Sequence, residues 1–227
     1  MEIDLTPFYL TLKLSFFTTL ILLVIGVPLA YWLSFSRNSY KYVFETLFNL
    51  PLVLPPSILG FYLLLLFSPS GFLGEFLEYY FDLRLVFSFS GILIGSVIFS
   101  LPFMLQALQA GFSSLPPSFF EVAQVLGKSR WETLFKVVLP NCKPAILGGM
   151  ILSFAHTIGE FGVVLLIGGS IPNKTKLASI AIYEEVEAMN YGNAHILSIL
   201  LVATSTLVLL PLFKYRRRVN FLGSQKA

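Results

Sequence analysis

Charged residues are scarce in this chain of 227 residues: Asp, Glu, Lys and Arg together make up 12% of it, against about a quarter in a soluble domain. With 56% hydrophobic residues and a mean hydropathy of +0.81, this scarcity excludes a globular protein with an ordinary water-facing surface. Cysteine is nearly absent as well. The single residue, Cys142, excludes a disulfide within the chain and a cysteine-rich metal site, so we expect no bound metal.

Two motifs are also missing. The sequence has no G-x-x-x-x-G-K-[ST] phosphate-binding loop, because the glycine pairs at 148–149 and 168–169 are not followed by lysine. We therefore expect no ATP, Mg²⁺ or other cofactor on this chain. The N-terminus opens with acidic residues instead of the basic region of a cleavable signal peptide, so we interpret the first hydrophobic run as a retained membrane span.

Long hydrophobic runs are what the chain does have. A helix needs about 20 apolar residues to cross a bilayer, and five stretches meet that length, at about 8–35, 43–67, 90–112, 145–168 and 194–213. Backbone groups in hydrocarbon must be hydrogen-bonded internally, which favours helices. The sequence therefore predicts an all-α integral membrane protein, with residues 1–227 forming one transmembrane domain.

Basic residues are distributed unevenly between the predicted loops. Of the 15 Lys and Arg residues, 11 lie in loops on one side: Arg37, Lys41, Lys128, Arg130, Lys136, Lys143, Lys214, Arg216, Arg217, Arg218 and Lys226. The positive-inside rule places these loops in the cytoplasm. The N-terminus is then expected outside, the C-terminus inside, and the loop 116–144 in the cytoplasm. The opposite loops hold eight acidic residues against four basic ones.

The loop 116–144 contains the polar segment EVAQVLGKSRWETLFKVVLP, residues 121–140. Ser118 with Glu121 three residues later is typical of a capping box, and Gly127 predicts a turn between two helices. Ser129 is a candidate cap of the second helix. Helical spacing places four apolar residues on one side of that helix: Trp131, Leu134, Phe135 and Val138. Pro140 and Pro144 are expected to end it. Pattern alone also allows a membrane-surface helix that merely connects two spans.

The spacing of this segment resembles the EAA loop of bacterial ABC-importer permeases. That loop reads E-A-A, three residues, G, nine residues, I, one residue, L-P, and the same gaps separate Glu121, Ala123, Gly127, Val137 and Leu139–Pro140. Valine replaces the first alanine, at position 122, and the isoleucine, at position 137. In the family, the loop is a coupling helix that docks on a separate ATPase subunit. The resemblance therefore implies ATPase contacts for Glu121, Ala123, Gly127, Arg130, Leu139 and Pro140.

The remaining chain is similar to the molybdate branch of these permeases, notably over LPLVLPPSILGFYLLLLFSPSGFLG, SLPFMLQALQAGF and SFAHTIGEFGVVLLIGGSIPNKTKLASIAIY. The resemblance implies the type I permease fold with five spans in the inner membrane and transport of molybdate into the cytoplasm. It also implies the partners: a second copy of the chain, two ATPase subunits that bind ATP and Mg²⁺, and an external oxyanion-binding protein. We expect contact with membrane lipid and none with nucleic acid. Tungstate permeases and sulfate or thiosulfate permeases remain alternatives.

Polar residues within the spans are candidates for the transport pathway, since ionisable groups inside a membrane are functional by default. In the fourth span Gly149, Ser153, His156 and Glu160 have helical spacing, with Thr157 beside them, and His156 and Glu160 are one turn apart and can pair. Pro55 and Pro56 predict a broken second span, since proline disturbs a helix. Ser96 and Ser100 of the third span share a face. For each set, helix packing is the alternative to lining a pathway.

An intramembrane enzyme is the rival class. Glu184, Glu185 and His195 superficially resemble a metalloprotease site, but they fall in a predicted outer loop, and a catalytic zinc ion needs three well-placed ligands. We therefore predict a transport subunit with no catalytic residue.

Overall fold

The computed structural model describes residues 4–36 and 38–224, and within them the chain is helical with no strand, which confirms the all-α fold. A 3₁₀ turn at Leu50–Leu52 and a π-helical segment at Leu134–Val138 interrupt the α-helices. The α-helices in chain order are α1 Thr6–Phe35, α2 Lys41–Asn49, α3 Pro56–Phe67, α4 Phe72–Phe81, α5 Phe89–Ser113, α6 Pro117–Val125, α7 Arg130–Thr133, α8 Leu139–Asn141, α9 Lys143–Ile158, α10 Gly162–Gly168, α11 Ala178–Glu187 and α12 Tyr191–Ser224.

Helices α1, α5 and α9 form the central bundle. Helices α1 and α5 run parallel, since the Lys13 ammonium lies 4.7 Å from the Phe89 ring near their starts and Tyr31 packs on Phe112 near their ends. Helix α9 runs the opposite way, because Ser100 in mid-α5 bonds Thr157 near the end of α9, whereas Gly111 near the end of α5 packs on Ala145 near the start of α9. These directions are those that an alternating set of spans requires of its first, third and fourth members.

Three helices are long and apolar enough to cross a membrane alone: α1, α5, and α12 from Tyr191 to Tyr215. The predicted spans 43–67 and 145–168 are not single straight helices. The first bends by 111° between Leu52 and Pro56, and α9 meets the preceding segment at 81°. Beyond Ile158 the fourth predicted span breaks again, before α10 begins at Gly162. Among residues 4–36 and 38–224, three helices are therefore long and apolar enough to cross a membrane, or up to five if each bent pair is one span.

Apolar packing divides the bundle into two cores. One contains the first half of α1 together with α3, the start of α5, and α10, and includes Leu14, Ile92 and Val163. The other contains the second half of α1, the end of α5 and the π-helical segment, and includes Met104, Leu134 and other residues. Helix α12 lies outside both cores, and its most apolar window has no buried residue. Its surface is therefore left for lipid or another chain.

Two short helices, α4 and α11, occupy loops that the sequence analysis left without secondary structure. Helix α11 is attached to α1 because the Ala178 amide donates to Thr11 Oγ1 at 2.9 Å. Both helices are too short to cross a membrane, and hydropathy alone therefore does not mark them as separate elements.

Candidate coupling segment and translocation pathway

Helix α6 ends in a motif that requires glycine. The Gly127 amide donates to the Gln124 carbonyl at 2.9 Å and the Lys128 amide to the Ala123 carbonyl at 2.9 Å, which is the Schellman pattern. Gly127 has a φ of +65°, and nothing lies within 4 Å of where a Cβ would be. Gly127 is thus needed because its backbone is left-handed, and not because a side chain would lack space. The sequence analysis predicted this turn.

A capping box starts the next helix. The Glu132 amide donates to Ser129 Oγ at 3.2 Å, and the Ser129 amide donates to the Glu132 carboxylate at 3.3 Å, so the predicted cap at Ser129 is confirmed. The ammonium groups of Lys136 and Lys128 lie 2.9 and 3.4 Å from the same carboxylate. The hydrogen bond from Lys136, the Ser129 amide and then Lys128 lower the pKa of Glu132 to about 2.

Three details of the predicted segment were wrong. Ser118 does not cap α6, because proline is favoured in the first turn and Pro117 opens the helix after Pro116. Pro140 does not end the helical path, since it falls within α8, and the bend comes at Cys142. The apolar side also divides in two where the π-helical segment widens the turn: Leu134 and Val138 are fully buried, whereas Trp131 and Phe135 are each 61% exposed.

The six residues predicted to contact an ATPase do not share one environment. Glu121 and Arg130 are exposed at the surfaces of α6 and α7, and Pro140 is exposed on α8. Ala123 is buried, and Leu139 is half-buried. The exposed apolar residues of the segment are Val122, Val125, Leu126, Trp131 and Phe135. The segment therefore presents an apolar surface with charged neighbours, which the motif spacing alone did not identify.

Predicted pathway residues of α5 and α9 come together in the middle of the bundle. Ser100 Oγ lies 3.0 Å from His156 Nδ1 and 3.0 Å from Thr157 Oγ1. The His156 ring lies between two aromatic rings, 4.7 Å from Phe99 and 4.0 Å from Phe103. In this conformation Ser100 and Thr157 are fully buried, and the hydrogen bond between them joins α5 to α9.

Glu160 does not occupy the predicted helix face. Helix α9 ends at Ile158, and Glu160 lies in the break before α10, where its carbonyl accepts a hydrogen bond from Ser179 Oγ at 2.7 Å. Its side chain is 3% exposed, and neither carboxylate oxygen has a hydrogen-bond partner. The predicted pairing with His156 is therefore wrong, because the imidazole bonds Ser100 instead. Ser153 is also buried without a side-chain partner. Ser96 lies close enough to the carboxyl group to act as a weak donor, but the two side chains do not meet hydrogen-bond geometry.

The break at Pro55 and Pro56 is confirmed. Pro55 is extended, with a ψ of 136°, and Pro56 is the first residue of α3. Helix α3 then packs against α10, where a Cβ on Gly60 would lie 3.1 Å from the Val163 Cα. The two prolines thus set the direction of α3, and both are exposed on the monomer surface.

A second polar group was missed by the sequence analysis. Gln106 Nε2 donates to Asn49 Oδ1 at 3.0 Å, and Gln109 Nε2 donates to Glu45 Oε1 at 3.1 Å. These bonds join α5 to α2. Helical spacing of Gln106 and Gln109 on α5 gives a signal, but their partners are more than 50 residues away in sequence, so only the fold reveals the group.

Two of the three residues of the rival enzyme hypothesis have other partners. Glu184 pairs with Lys176 at 2.5 Å, and Glu185 accepts a hydrogen bond from Asn190 at 2.7 Å. Within residues 4–36 and 38–224, no three His, Cys, Asp or Glu side chains are placed to hold a metal ion.

The chain is similar in sequence and in fold to known transport proteins. The chain is 45% identical over 216 residues to the molybdenum transport system permease protein ModB of Azotobacter vinelandii, covering 95% of this chain and 96% of the relative. It is 34% identical to the sulfate transport system permease protein CysT of Escherichia coli (strain K12), covering 88% and 72%. The fold resembles a chain of the bacterial alginate ABC transporter solved with its alginate pentasaccharide-bound periplasmic protein, with a TM-score of 0.78, 22% identity, and coverage of 96% of this chain and 80% of that one.

Residues 16–219 match the family described as binding-protein-dependent transport system inner membrane component. That match covers most of the chain, and it agrees with the apolar helices α1, α5 and α12. The chain therefore belongs to this family of inner-membrane transport subunits, which act with a binding protein and are not themselves enzymes.

Proposed function

We propose that this chain is the membrane-spanning permease subunit of an ATP-driven importer that carries molybdate into the cytoplasm by alternating access. The observation that carries the proposal is the 45% identity to a molybdenum permease over nearly the full length of both chains. Molybdate is a tetrahedral dianion with four acceptor oxygens, which suits hydroxyl, amide and backbone N–H donors. The bundle has buried serine and threonine hydroxyls and an exposed glutamine amide, and it lacks a buried cluster of cations among its described residues.

The segment 116–144 is proposed to dock on the ATPase. Its support is the family spacing together with five exposed apolar residues and ordered caps at Gly127 and Ser129. Because the sequence has no phosphate-binding loop, ATP and Mg²⁺ belong to that partner. Two ATPase subunits would then contact two copies of this chain, since a two-fold pair gives each copy one equivalent segment.

We place the N-terminus outside and the C-terminus in the cytoplasm. The support is the bias of basic residues toward one set of loops. The parallel course of α1 and α5 and the opposite course of α9 are compatible with that topology. A cytoplasm-dependent reporter fused after Lys226 tests the placement, because an inactive reporter on a stably inserted protein would contradict it.

An external binding protein is proposed to deliver the anion. The outer loops carry eight acidic residues against four basic ones, so the field within about 8 Å of this surface repels a dianion at physiological salt. A binding protein encloses the anion's charge until it docks. The α11 residues Glu184, Glu185 and Glu187 are the proposed contacts, and their replacement by glutamine should weaken docking in a salt-dependent way.

Sulfate is the second candidate substrate, because a sulfate permease is 34% identical over 88% of the chain. Sulfate and molybdate share charge and tetrahedral shape, so the binding protein is expected to decide between them. The same reasoning applies to tungstate.

Uptake by vesicles containing the permease, its ATPase and its binding protein tests the function. We expect ATP-dependent accumulation of labelled molybdate, with tungstate as a strong competitor and sulfate as a weak one. Omitting the binding protein should abolish accumulation. ATP-driven uptake of sulfate but not molybdate would replace the first substrate with the second, and substantial uptake without binding protein would overturn the delivery step.

A further inference from the structure

The exposed surface of α5 is polar at the position where α2 crosses it. Between Gly95 and Phe112, Gln106 and Ala110 are the exposed residues of this helix. The exposed surface of α12 is apolar by contrast, and Val202 there is 66% exposed. An exposed glutamine inside a span is costly against hydrocarbon. This face of α5 therefore faces water or another polar surface in the assembled protein.

The face extends along the helix in a regular order. Phe99, Phe103, Gln106 and Ala110 follow one another at intervals of 4, 3 and 4 residues, which places them on one side of α5. His156 packs on Phe99 and Phe103 at one end of this row. Asn49 of α2 accepts a hydrogen bond from Gln106 at the other end. The row thus runs from the buried Phe99 and the half-buried Phe103, which pack on the imidazole, to the exposed Gln106 and Ala110.

The amides have donors to spare. Gln106 uses one N–H on Asn49 Oδ1 and retains a second, because a primary amide carries two. Neutral N–H donors bind an oxyanion without the strong attraction of a cation, and this permits release. By contrast Ser96, Ser100, Ser153 and Thr157 are fully buried between α5 and α9, where an anion has no access in this conformation.

We propose that the α5 face containing Gln106 lines the inner half of the translocation pathway, and that the Gln106 amide is a hydrogen-bonding station for the tetrahedral oxyanion. This inference rests on the proposed transport function. It moves the pathway from the buried stripe of α9 to the exposed side of α5.

A carboxylate close to Gln106 opposes prolonged binding of an anion there. The Glu45 carboxylate lies beside the station and is held by Gln109 Nε2 at 3.1 Å. Its negative charge disfavours long residence of a dianion at Gln106. The station is therefore built for passage and release into the cytoplasm, and not for tight binding.

Charge substitution tests the station in the vesicle system. Gln106→Glu should lower ATP-dependent molybdate uptake more than about tenfold, because a second carboxylate would face the dianion at short range. Gln106→Ala should lower it about two- to tenfold through loss of one hydrogen bond. Asn38→Asp is the matched control, since it adds the same charge in the exposed turn between α1 and α2, and it should leave uptake unchanged.

Cysteine labelling provides a readout that does not depend on uptake. In the assembled transporter, Gln106→Cys should react with a charged, membrane-impermeant thiol reagent added from the cytoplasmic side. Val202→Cys, on the exposed apolar surface of α12, should react at least about tenfold more slowly, because lipid or another chain covering that surface would keep thiolates from forming. The wild-type protein, whose Cys142 is buried, gives the background.

The outcomes separate the two proposals. Vesicles with wild-type permease that accumulate no oxyanion would overturn the transport function. Wild-type uptake that Gln106→Glu leaves intact, or equal labelling of the Gln106→Cys and Val202→Cys variants, would overturn the pathway assignment alone.

Discussion

The polar groups of the coupling segment and those at the centre of the bundle differ in how completely they are hydrogen-bonded. In the segment, Ser129 and Glu132 satisfy each other's backbone amides, and Gly127 closes α6 with two hydrogen bonds. In the bundle, the side chains of Ser96, Ser153 and Glu160 are buried without partners. The first region is held by hydrogen bonds between residues close in sequence. The second is a packed interface in which Ser100 bonds His156 and Thr157, whereas the three side chains just named have no partner.

This contrast agrees with the roles proposed for the two regions. A coupling element has to transmit a push without deforming, and satisfied caps resist fraying. A pathway has to change shape, and unpaired buried groups lower the stability of the closed packing by about 1–3 kcal/mol each.

The largest effect is expected at the junction of the two regions. A Cβ on Gly111 of α5 would lie 2.2 Å from the Ala145 Cβ of α9, so Gly111→Val should force the two helices apart. Overpacking of this kind costs about 1–3 kcal/mol or more. We expect a lower melting temperature in detergent and near-complete loss of uptake. Gly192→Val is the matched control, because nothing lies within 4 Å of its Cβ position, and equal losses in both variants would contradict the packing argument.

The next effect separates backbone conformation from packing. At Gly127 a side chain has open space but an unfavourable φ of +65°, and the left-handed region costs a residue with a Cβ about 1–2 kcal/mol. Gly127→Val should therefore lower molybdate uptake at least about fivefold while membrane insertion and ATP hydrolysis persist. Gly127→Asn should retain most uptake, since asparagine tolerates this conformation. Normal transport by the valine variant would show that the turn is not part of coupling.

Two further variants should change the free energy of unfolding by smaller amounts and in different directions. Ser129→Ala removes a satisfied cap and should destabilise the segment by about 1 kcal/mol. Glu160→Met replaces an unpartnered buried carboxyl with an apolar side chain of similar length and should be neutral, or stabilising by up to about 1 kcal/mol. Chemical unfolding of the purified permease measures both. Destabilisation by the methionine would mean that the carboxyl of Glu160 has a stabilising partner.

The smallest effect is a pH dependence at Glu132. Its ion pairs lower its pKa from 4.5 to about 2, so the stability they contribute is present above pH 4.5 and is lost as the pH falls toward 2. In a Trp32→Phe background, the emission of Trp131 should be constant from pH 8 to 5 and should shift below that range. Adding Glu132→Gln should remove the shift, and a shift that survives this change would assign it to another group.

Local signals made the coupling segment largely predictable. Gly127, Ser129 and the Pro55–Pro56 break follow from backbone chemistry that a few neighbouring residues determine. Ser118 was misassigned because a proline can itself begin a helix. Trp131 and Leu134 were placed together because an ideal α-helix was assumed where the chain is π-helical.

The pathway was less predictable because it depends on contacts distant in sequence. Helical periodicity placed Glu160 on α9, but the helix ends earlier, at Ile158. The contact between Gln106 and Asn49 spans 57 residues, and no local pattern indicates it. Local sequence patterns also do not show which polar helix face is buried and which is exposed, because tertiary packing determines this.

The most direct test of the central claim, that segment 116–144 joins this permease to a separate ATPase, is site-specific photocrosslinking in the assembled transporter. A photoreactive phenylalanine analogue at Val125, which is 87% exposed on α6, should give an adduct with the mass of the permease plus one ATPase subunit. The same analogue at Val202 of α12 should not. Absence of the ATPase adduct at Val125 in a transport-competent complex, or equal adducts at both positions, would contradict the account.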